Sequence, residues 1–338
     1  MIRIIELFGG IGAFTKAFKR QGLPIEVLDY VEIDKYAVAS YNAINGTNFE
    51  PQDIKEWNKH FENVDFIIHG SPCQDFSVAG KQAGGDKGSG TRSSLLYETL
   101  RIVGNNKPRY VIWENVKGIL SPKHRHNFDE YLEEMSKLGY NNFYQILNSK
   151  DYGVPQNRER VFTVSIRKDI SDNEFIFPAR RPITRRLKDV LEKEVDEKYY
   201  LSDKSIANYN RKFGSKGKMQ SPNDVCSTLQ AAMGNGGGNV PIIVASRGRG
   251  ENNEQHLEPR KDGLTNTITS VQKDNYVATP YRIRKLTPKE CWRLMGFDDS
   301  DFEKAEKVNS NTQLYKQAGN SIVVNVAEAI ISRKELVW

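Results

Sequence analysis

Short apolar runs alternate with amphipathic stretches of helical period through the first half of the chain. The runs cover residues 2–7, 26–31, 65–69, 110–113, 143–147 and 160–166. Near-continuous apolar strands separated by helices are what a sheet covered on both faces requires, because neither side of such a strand meets water. The pattern predicts a doubly wound, Rossmann-like and largely parallel α/β sheet. From about residue 169 to 281 the alternation gives way to polar, turn-rich sequence. Regular pattern returns at Thr287-Pro288-Lys289-Glu290, a capping-box start with proline at the first helical position and Gly296 as the stop. These shifts predict a second, smaller, mostly β or irregular domain after the first.

Composition narrows the class. With 338 residues, 38% of them hydrophobic and 27% charged, the chain can bury a full core. Charges interrupt the apolar N-terminus and no run approaches the ~18 apolar residues of a membrane span, so a cytoplasmic location is expected. Cys73, Cys226 and Cys291 are too widely spaced for a zinc site and make no disulfide framework. His124 and His126 flank Arg125 without an acidic or cysteine partner nearby and read as a solvated loop, so no metal centre is predicted. A formal net charge of +6 suits a polyanionic partner, although many ordinary enzymes are as basic.

Candidate chemistry gathers at the strand ends, where open α/β sheets bind ligands. Phe8-Gly9-Gly10-Ile11-Gly12 follows the first run, and Glu32 ends the second, twenty residues past Gly12. Glycines there let a ligand approach the backbone at a helix N-terminus, and an acidic residue about 20 positions on can accept ribose hydroxyls. Asp53 adds an acceptor for an adenine amino group, which favours an adenosine-containing cofactor, with NAD as the competitor. Gly70-Ser71-Pro72-Cys73-Gln74 mounts a thiol on a turn after the third run. Most lone cysteines are small buried hydrophobes, so the case for a nucleophile rests on the surroundings. Glu114 closes the fourth run, where burial would raise its pKa and suit it to donate a proton. Arg158 and Arg160 offer cationic forks before the last run, and the glycine-rich stretch 77–92 reads either as a lid over an anionic substrate or as a surface connection.

Taken in order, these segments resemble the cytosine carbon-5 DNA methyltransferases over nearly the whole chain. Phe8 to Gly12 looks like the cofactor loop, Pro72-Cys73-Gln74 the nucleophile turn, Glu114-Asn115-Val116 the acid motif and Gln156 to Arg160 the arginine motif. Gln317-Ala318-Gly319-Asn320-Ser321 looks like the C-terminal motif that returns to the cofactor, and residues 284–297 resemble the motif supporting a target-recognition domain, which implies a catalytic domain over 1–185 completed by 310–338, with the target-recognition domain and hinge inserted at 186–309. The resemblance implies S-adenosyl-L-methionine as cofactor and double-stranded DNA as substrate, with a flipped-out cytosine methylated through a covalent cysteine adduct. It assigns catalysis to Cys73, Glu114, Arg158 and Arg160. It assigns cofactor binding to Phe8, Gly9, Gly10, Gly12, Glu32 and Ile33, with Asp53, Ile54, Pro72, Asn320 and Ser321. DNA contacts are expected at Gln74, Ser77, Lys81 and Arg92, then at Lys212, Lys216, Arg247 and Arg284. Further phosphate contacts suit the basic cluster at Arg180, Arg181, Arg185 and Arg186. Segments 224–229 and 262–268 read as turns into hydroxyl-rich strands of the recognition domain. The expected enzyme is of bacterial or phage modification type and monomeric, with room for a separately acting cognate restriction endonuclease. A related enzyme acting on transfer RNA is the nearest rival, with a shorter recognition region, and a catalytically silent DNA-binding protein would leave Cys73 without a role.

Overall fold

The computed structural model of the chain describes residues 1–72, 92–171, 174–202, 220, 223–231, 233, 242–245 and 282–336. The first half builds β1 (Ile2–Leu7), α1 (Ala13–Arg20), β2 (Ile25–Val31), α2 (Lys35–Asn45), β3 (Phe66–His69), α3 (Leu96–Asn106), β4 (Tyr110–Val116), α4 (Arg125–Lys137), β5 (Tyr140–Asn148) and β6 (Glu159–Arg167). All six apolar runs become strands, in the spatial order β2-β1-β3-β4-β6-β5. β1 to β4 are parallel, and β6 runs antiparallel to both β4 and β5. The reversal follows from connection length: residues 149–158 between β5 and β6 are too few to carry a helical crossover. It brings the start of β6 to the carboxyl end of β4, with Val116 paired to Arg160.

Alternate residues of the central strands serve opposite cores, as the two-residue period requires. Phe66, Ile68, Tyr110 and Ile112 join one core together with Phe14 and Phe18 of α1, while Ile67, Val111 and Trp113 join another with residues of α3 and α4. Both faces of the sheet are thus covered, and the strand ends are what remain for a ligand.

The second half adds β7 (Ile242–Ala245) paired antiparallel to β8 (Arg282–Lys285), then α5 (Pro288–Arg293), α6 (Asp299–Ala305), α7 (Asn311–Asn320) and α8 (Val324–Ile331). The capping box at Thr287 forms as its sequence predicts: Glu290 N–H donates to the Thr287 hydroxyl and Thr287 N–H to the Glu290 carboxylate. Gly296 takes the left-handed conformation, φ 82°. Among the described residues no helix is long and apolar enough to cross a membrane.

Three sequence readings need correction. The inserted segment drawn at 186–309 is too wide, because Leu187, Val190, Leu286, Trp292, Met295 and Phe302 belong to the same core as β1 and α1. Trp292 donates to the Leu314 carbonyl at 3.0 Å and Arg20 of α1 to Asp298 at 2.7 Å, so α5 and α6 are parts of the main body. Segment 224–229 makes no strand beyond an isolated bridge from Cys226 to Gln156, and it lies along the arginine motif. His124 is buried at the start of α4 rather than solvated.

Gly319 shows how closely these parts approach. A Cβ there would stand 2.2 Å from the backbone of Gln230 and Ala231. Alanine in a helix normally gains up to ~1 kcal/mol over glycine. Gly319→Ala is expected to do the reverse and lose ~1–3 kcal/mol through overpacking, read as a lower urea midpoint; an unchanged or higher midpoint would show that the two backbones part freely.

Candidate active site

β1 runs directly into the turn from Phe8 to Gly12 and then into α1, which puts a backbone cradle at the carboxyl edge of the sheet. Gly10 and Gly12 adopt left-handed φ values of 54° and 78°, and Phe8 does so at 53° despite its side chain. Gly9 is needed for another reason: a Cβ would meet the Tyr30 ring at 2.5 Å. Tyr30 donates its hydroxyl to the Gly10 carbonyl and stacks on Tyr41 with ring centroids 3.8 Å apart.

Glu32 stands at the β2 end of this cradle. Its carboxylate accepts Gly10 N–H at 3.1 Å and Asp34 N–H at 2.9 Å, so it shapes the loop from below. Burial pushes its pKa up against the pull of these backbone hydrogen bonds. Ile33 beside it is 66% exposed, while Ile54 is buried. Gln52 N–H donates to the Glu32 carbonyl at 2.9 Å and brings Asp53 to the same edge, its carboxylate capping Lys55 N–H at 3.0 Å. A cleft of about 440 Å³ opens over β1, β3 and β4, walled by Phe8, Gly9, Gly10, Glu114, Asn320 and Ser321 among others.

Glu114 faces this cleft from β4. It pairs in register with Phe162, so Arg160, two residues along β6, lies diagonally beside it on the same face. Arg160 Nε is 3.0 Å from Glu114 Oε1, with only 16% and 12% of the two side chains exposed. Burial raises the Glu114 pKa and is the largest influence, opposed by the charges of Arg160 and Arg158. Arg158 is not placed to touch a substrate. It is buried, and its guanidinium donates to the carbonyls of Leu229, Gly319 and Ser321 at 2.9, 3.1 and 2.9 Å. Gln156, also fully buried, donates to Leu294 O at 2.7 Å and accepts Leu229 N–H at 3.1 Å. The arginine motif therefore acts mainly as a clamp, with Arg160 alone turned to the acid.

Gly70, Ser71 and Pro72 lead out of β3 beside Glu114. Trp113 Nε1–H donates to Ser71 Oγ at 3.0 Å, and the Asn115 amide lies 3.5 Å from the Ser71 carbonyl. Nothing in the sequence signals the Trp113 contact, which joins residues 42 positions apart. Cys73, Gln74, Ser77 and Lys81 lie outside the described residues, as do Lys212, Lys216, Arg247 and segment 262–268; Arg92 opens a 3₁₀ turn but its side chain is likewise outside them. Arg284 contradicts its assignment to DNA: it is 2% exposed and forms a two-pronged pair with Glu290 at 2.7 and 2.8 Å. A cation spent on a buried carboxylate has no fork left for a phosphate. Arg180, Arg181 and Arg185 remain exposed, and Arg181 N–H is tied to the Asp151 carbonyl just past β5.

Residues 2–335 match the family model of the C-5 cytosine-specific DNA methylase. The chain belongs to that family. The methylase is 32% identical to the type II methyltransferase M2.ScrFI of Lactococcus lactis subsp. cremoris, covering 99% of both chains. It is 31% identical to the orphan methyltransferase M.SPRI of Bacillus phage SPR, covering 99% of this chain and 97% of the relative. Its fold matches that of the Entamoeba histolytica methyltransferase EhMeth with a TM-score of 0.74 at 17% identity, over 99% of this chain and 98% of the other. The methylase is thus a DNA cytosine-5 methyltransferase on a Rossmann-like sheet.

Beneath the glycine loop, Glu6 accepts both Thr15 N–H at 3.0 Å and the Thr15 hydroxyl at 2.7 Å, yet burial lifts its pKa from 4.5 to about 7. Between these values the folded methylase binds more protons than the unfolded chain, so Glu6 makes stability fall as pH rises. Glu6→Gln removes that dependence. From pH about 4.5 to about 8, urea denaturation should show wild type losing ~3 kcal/mol relative to the variant; parallel pH curves would refute the lifted pKa.

Proposed function

We propose that the methylase transfers a methyl group from S-adenosylmethionine to carbon 5 of a cytosine flipped out of duplex DNA, through a transient bond from Cys73 to carbon 6. The observation that carries this reading is Glu114, a carboxyl whose pKa burial raises, held by Arg160 at 3.0 Å and facing the cleft beside the glycine loop. The cleft suits the cofactor. A Cβ on Gly10 would find nothing within 4 Å, which leaves the loop backbone open to a ligand. Each Glu32 oxygen keeps a lone pair beyond the amide it accepts, enough for ribose hydroxyls. Phe8, Gly9, Gly10, Gly12, Glu32 and Ile33 would hold the group with Asp53, Ile54, Pro72, Asn320 and Ser321, and when bound it supplies an electrophilic methyl.

Cytosine carbon 5 is a poor nucleophile until another group adds to carbon 6. The Cys73 thiolate forms that sulfur–carbon bond, while the Glu114 carboxyl gives its proton to ring nitrogen 3 as negative charge develops there. Arg160 faces the base carbonyl and keeps Glu114 in line. Carbon 5 takes the methyl and gives its proton to solvent, the sulfur–carbon bond breaks to release the Cys73 thiolate and restore the ring, and nitrogen 3 returns its proton to Glu114. Cys226 and Cys291 do not compete for the role of nucleophile, because both are buried and burial pushes their thiols up. Reaching the base costs a few kcal/mol of unstacking. Sequence reading falls to side chains beyond Met233, since 226–229 are engaged with the arginine motif. The methylase acts as a monomer; its relatives carry both type II and orphan names, so methylation itself calls for no nuclease partner.

Duplex DNA containing 5-fluorocytosine, which cannot lose its carbon-5 substituent, should trap wild type as a denaturation-resistant adduct, and Cys73→Ser should form none. An undiminished adduct in the variant rules Cys73 out, and methylation of RNA in place of DNA overturns the substrate.

Glu32→Ala should weaken S-adenosylmethionine at least about tenfold in calorimetry, since hydrogen bonds to a charged group contribute ~1.5–3 kcal/mol each. DNA binding should be spared. An unchanged cofactor affinity removes Glu32 from the pocket.

A further inference from the structure

The chain enters the proposed nucleophile turn through Ser71, and Ser71 is held from the face of the sheet opposite Glu114. Glu114 follows Tyr110 and Ile112 along β4 and shares their face, the one beneath α1. Trp113 points to the other face, where its ring stacks on His69 with centroids 5.7 Å apart and planes 8° from parallel. Tyr131 and Phe128 of α4 pack on the same indole at 4.3 and 5.6 Å, and His69 shares a 3.0 Å hydrogen bond with the Tyr131 hydroxyl. Burial drives the His69 pKa down to about 3, so this aromatic layer is uncharged at any working pH. Trp113 and Ser71 are 1% and 4% exposed, and the indole N–H donates to Ser71 Oγ at 3.0 Å.

We propose that Trp113 is a positioning residue for methyl transfer. Its indole N–H fixes Ser71, which the nucleophile follows in sequence by two residues. The inference rests on the reading of Cys73 as that nucleophile. The physical basis is a buried hydrogen bond with no water to replace it: a donor locked between aromatic rings has one orientation, and the turn inherits it. A nucleophile must be held close to carbon 6, so a loosened Ser71 costs rate more than it costs binding.

The test is a double-mutant cycle read by single-turnover methylation. Trp113→Phe keeps the stacked ring and deletes only the N–H donor; Ser71→Ala deletes the acceptor. Each should slow methyl transfer and 5-fluorocytosine adduct formation by about tenfold, the size of one buried hydrogen bond, with the Kd for DNA unchanged and the KM for S-adenosylmethionine moved by less than the rate. The double variant should be no slower than the worse single, because both delete the same bond. Wild-type rates in either single variant, or losses that multiply in the double, overturn the proposal. So does a loss confined to substrate affinity. Should Trp113→Phe fold poorly, Ser71→Ala alone still decides the matter by its rate. Cys73→Ser separates the two levels: if it retains activity, the nucleophile reading falls and this inference with it. If it is inert while Trp113→Phe is fully active, only the positioning role falls.

Discussion

A single buried guanidinium joins the parts of this molecule that meet at the site. Arg158 opens the β6 segment and donates to Leu229, Gly319 and Ser321, stretches of chain 71 to 163 positions away from it. Isolated charges are costly to bury, and the three carbonyl dipoles help to stabilise this one. The consequence is that the C-terminal return over the cofactor cleft, the brace at 229 and the acid's strand neighbour move as one body. Gly319 is the steric counterpart of this tie, since only a residue without Cβ lets α7 come so close to the backbone at 230–231.

Around that tie the sheet divides labour between its faces. Glu114 and Arg160 share the face under α1, where they meet the cleft, and Trp113 shares the face under α3 and α4, where it meets Ser71. Two opposed influences meet at Glu114. Burial favours the neutral acid, the nearby arginines favour the anion, and the net effect is a raised pKa on a carboxyl that Arg160 holds at 3.0 Å. Two carboxylates near the glycine loop are tuned the same way: Glu6 and Glu32 both accept loop or helix N–H groups, and burial raises both.

Much of this was legible beforehand because its causes are local. Apolar runs bounded by turns identify strands, Thr287-Pro288-Lys289-Glu290 identifies a helix start, and glycines after β1 identify a loop that must turn tightly. Arg284 misled for an equally physical reason. A basic residue in a basic chain reads as a phosphate contact, and only the placement of Glu290 in the next helix turns it into a buried pair. Segment 224–229 misled likewise, since hydroxyl-rich alternation signals a strand while its hydrogen bonds go instead to residues 155–157.

The sequence by itself determined the sheet, the glycine cradle, the acid and arginine motifs and, through their order, the family. Each is written in residues within one turn or one strand of each other, so pattern and spacing suffice. The tertiary structure decided which faces these residues take and whom they touch: β6 reversed so that Arg160 meets Glu114, Arg158 turned inward as a clamp, α5 and α6 returned to the main core, and Trp113 laid against Ser71. Those outcomes depend on contacts between positions tens to hundreds of residues apart, and no local propensity encodes a partner that only packing brings into reach.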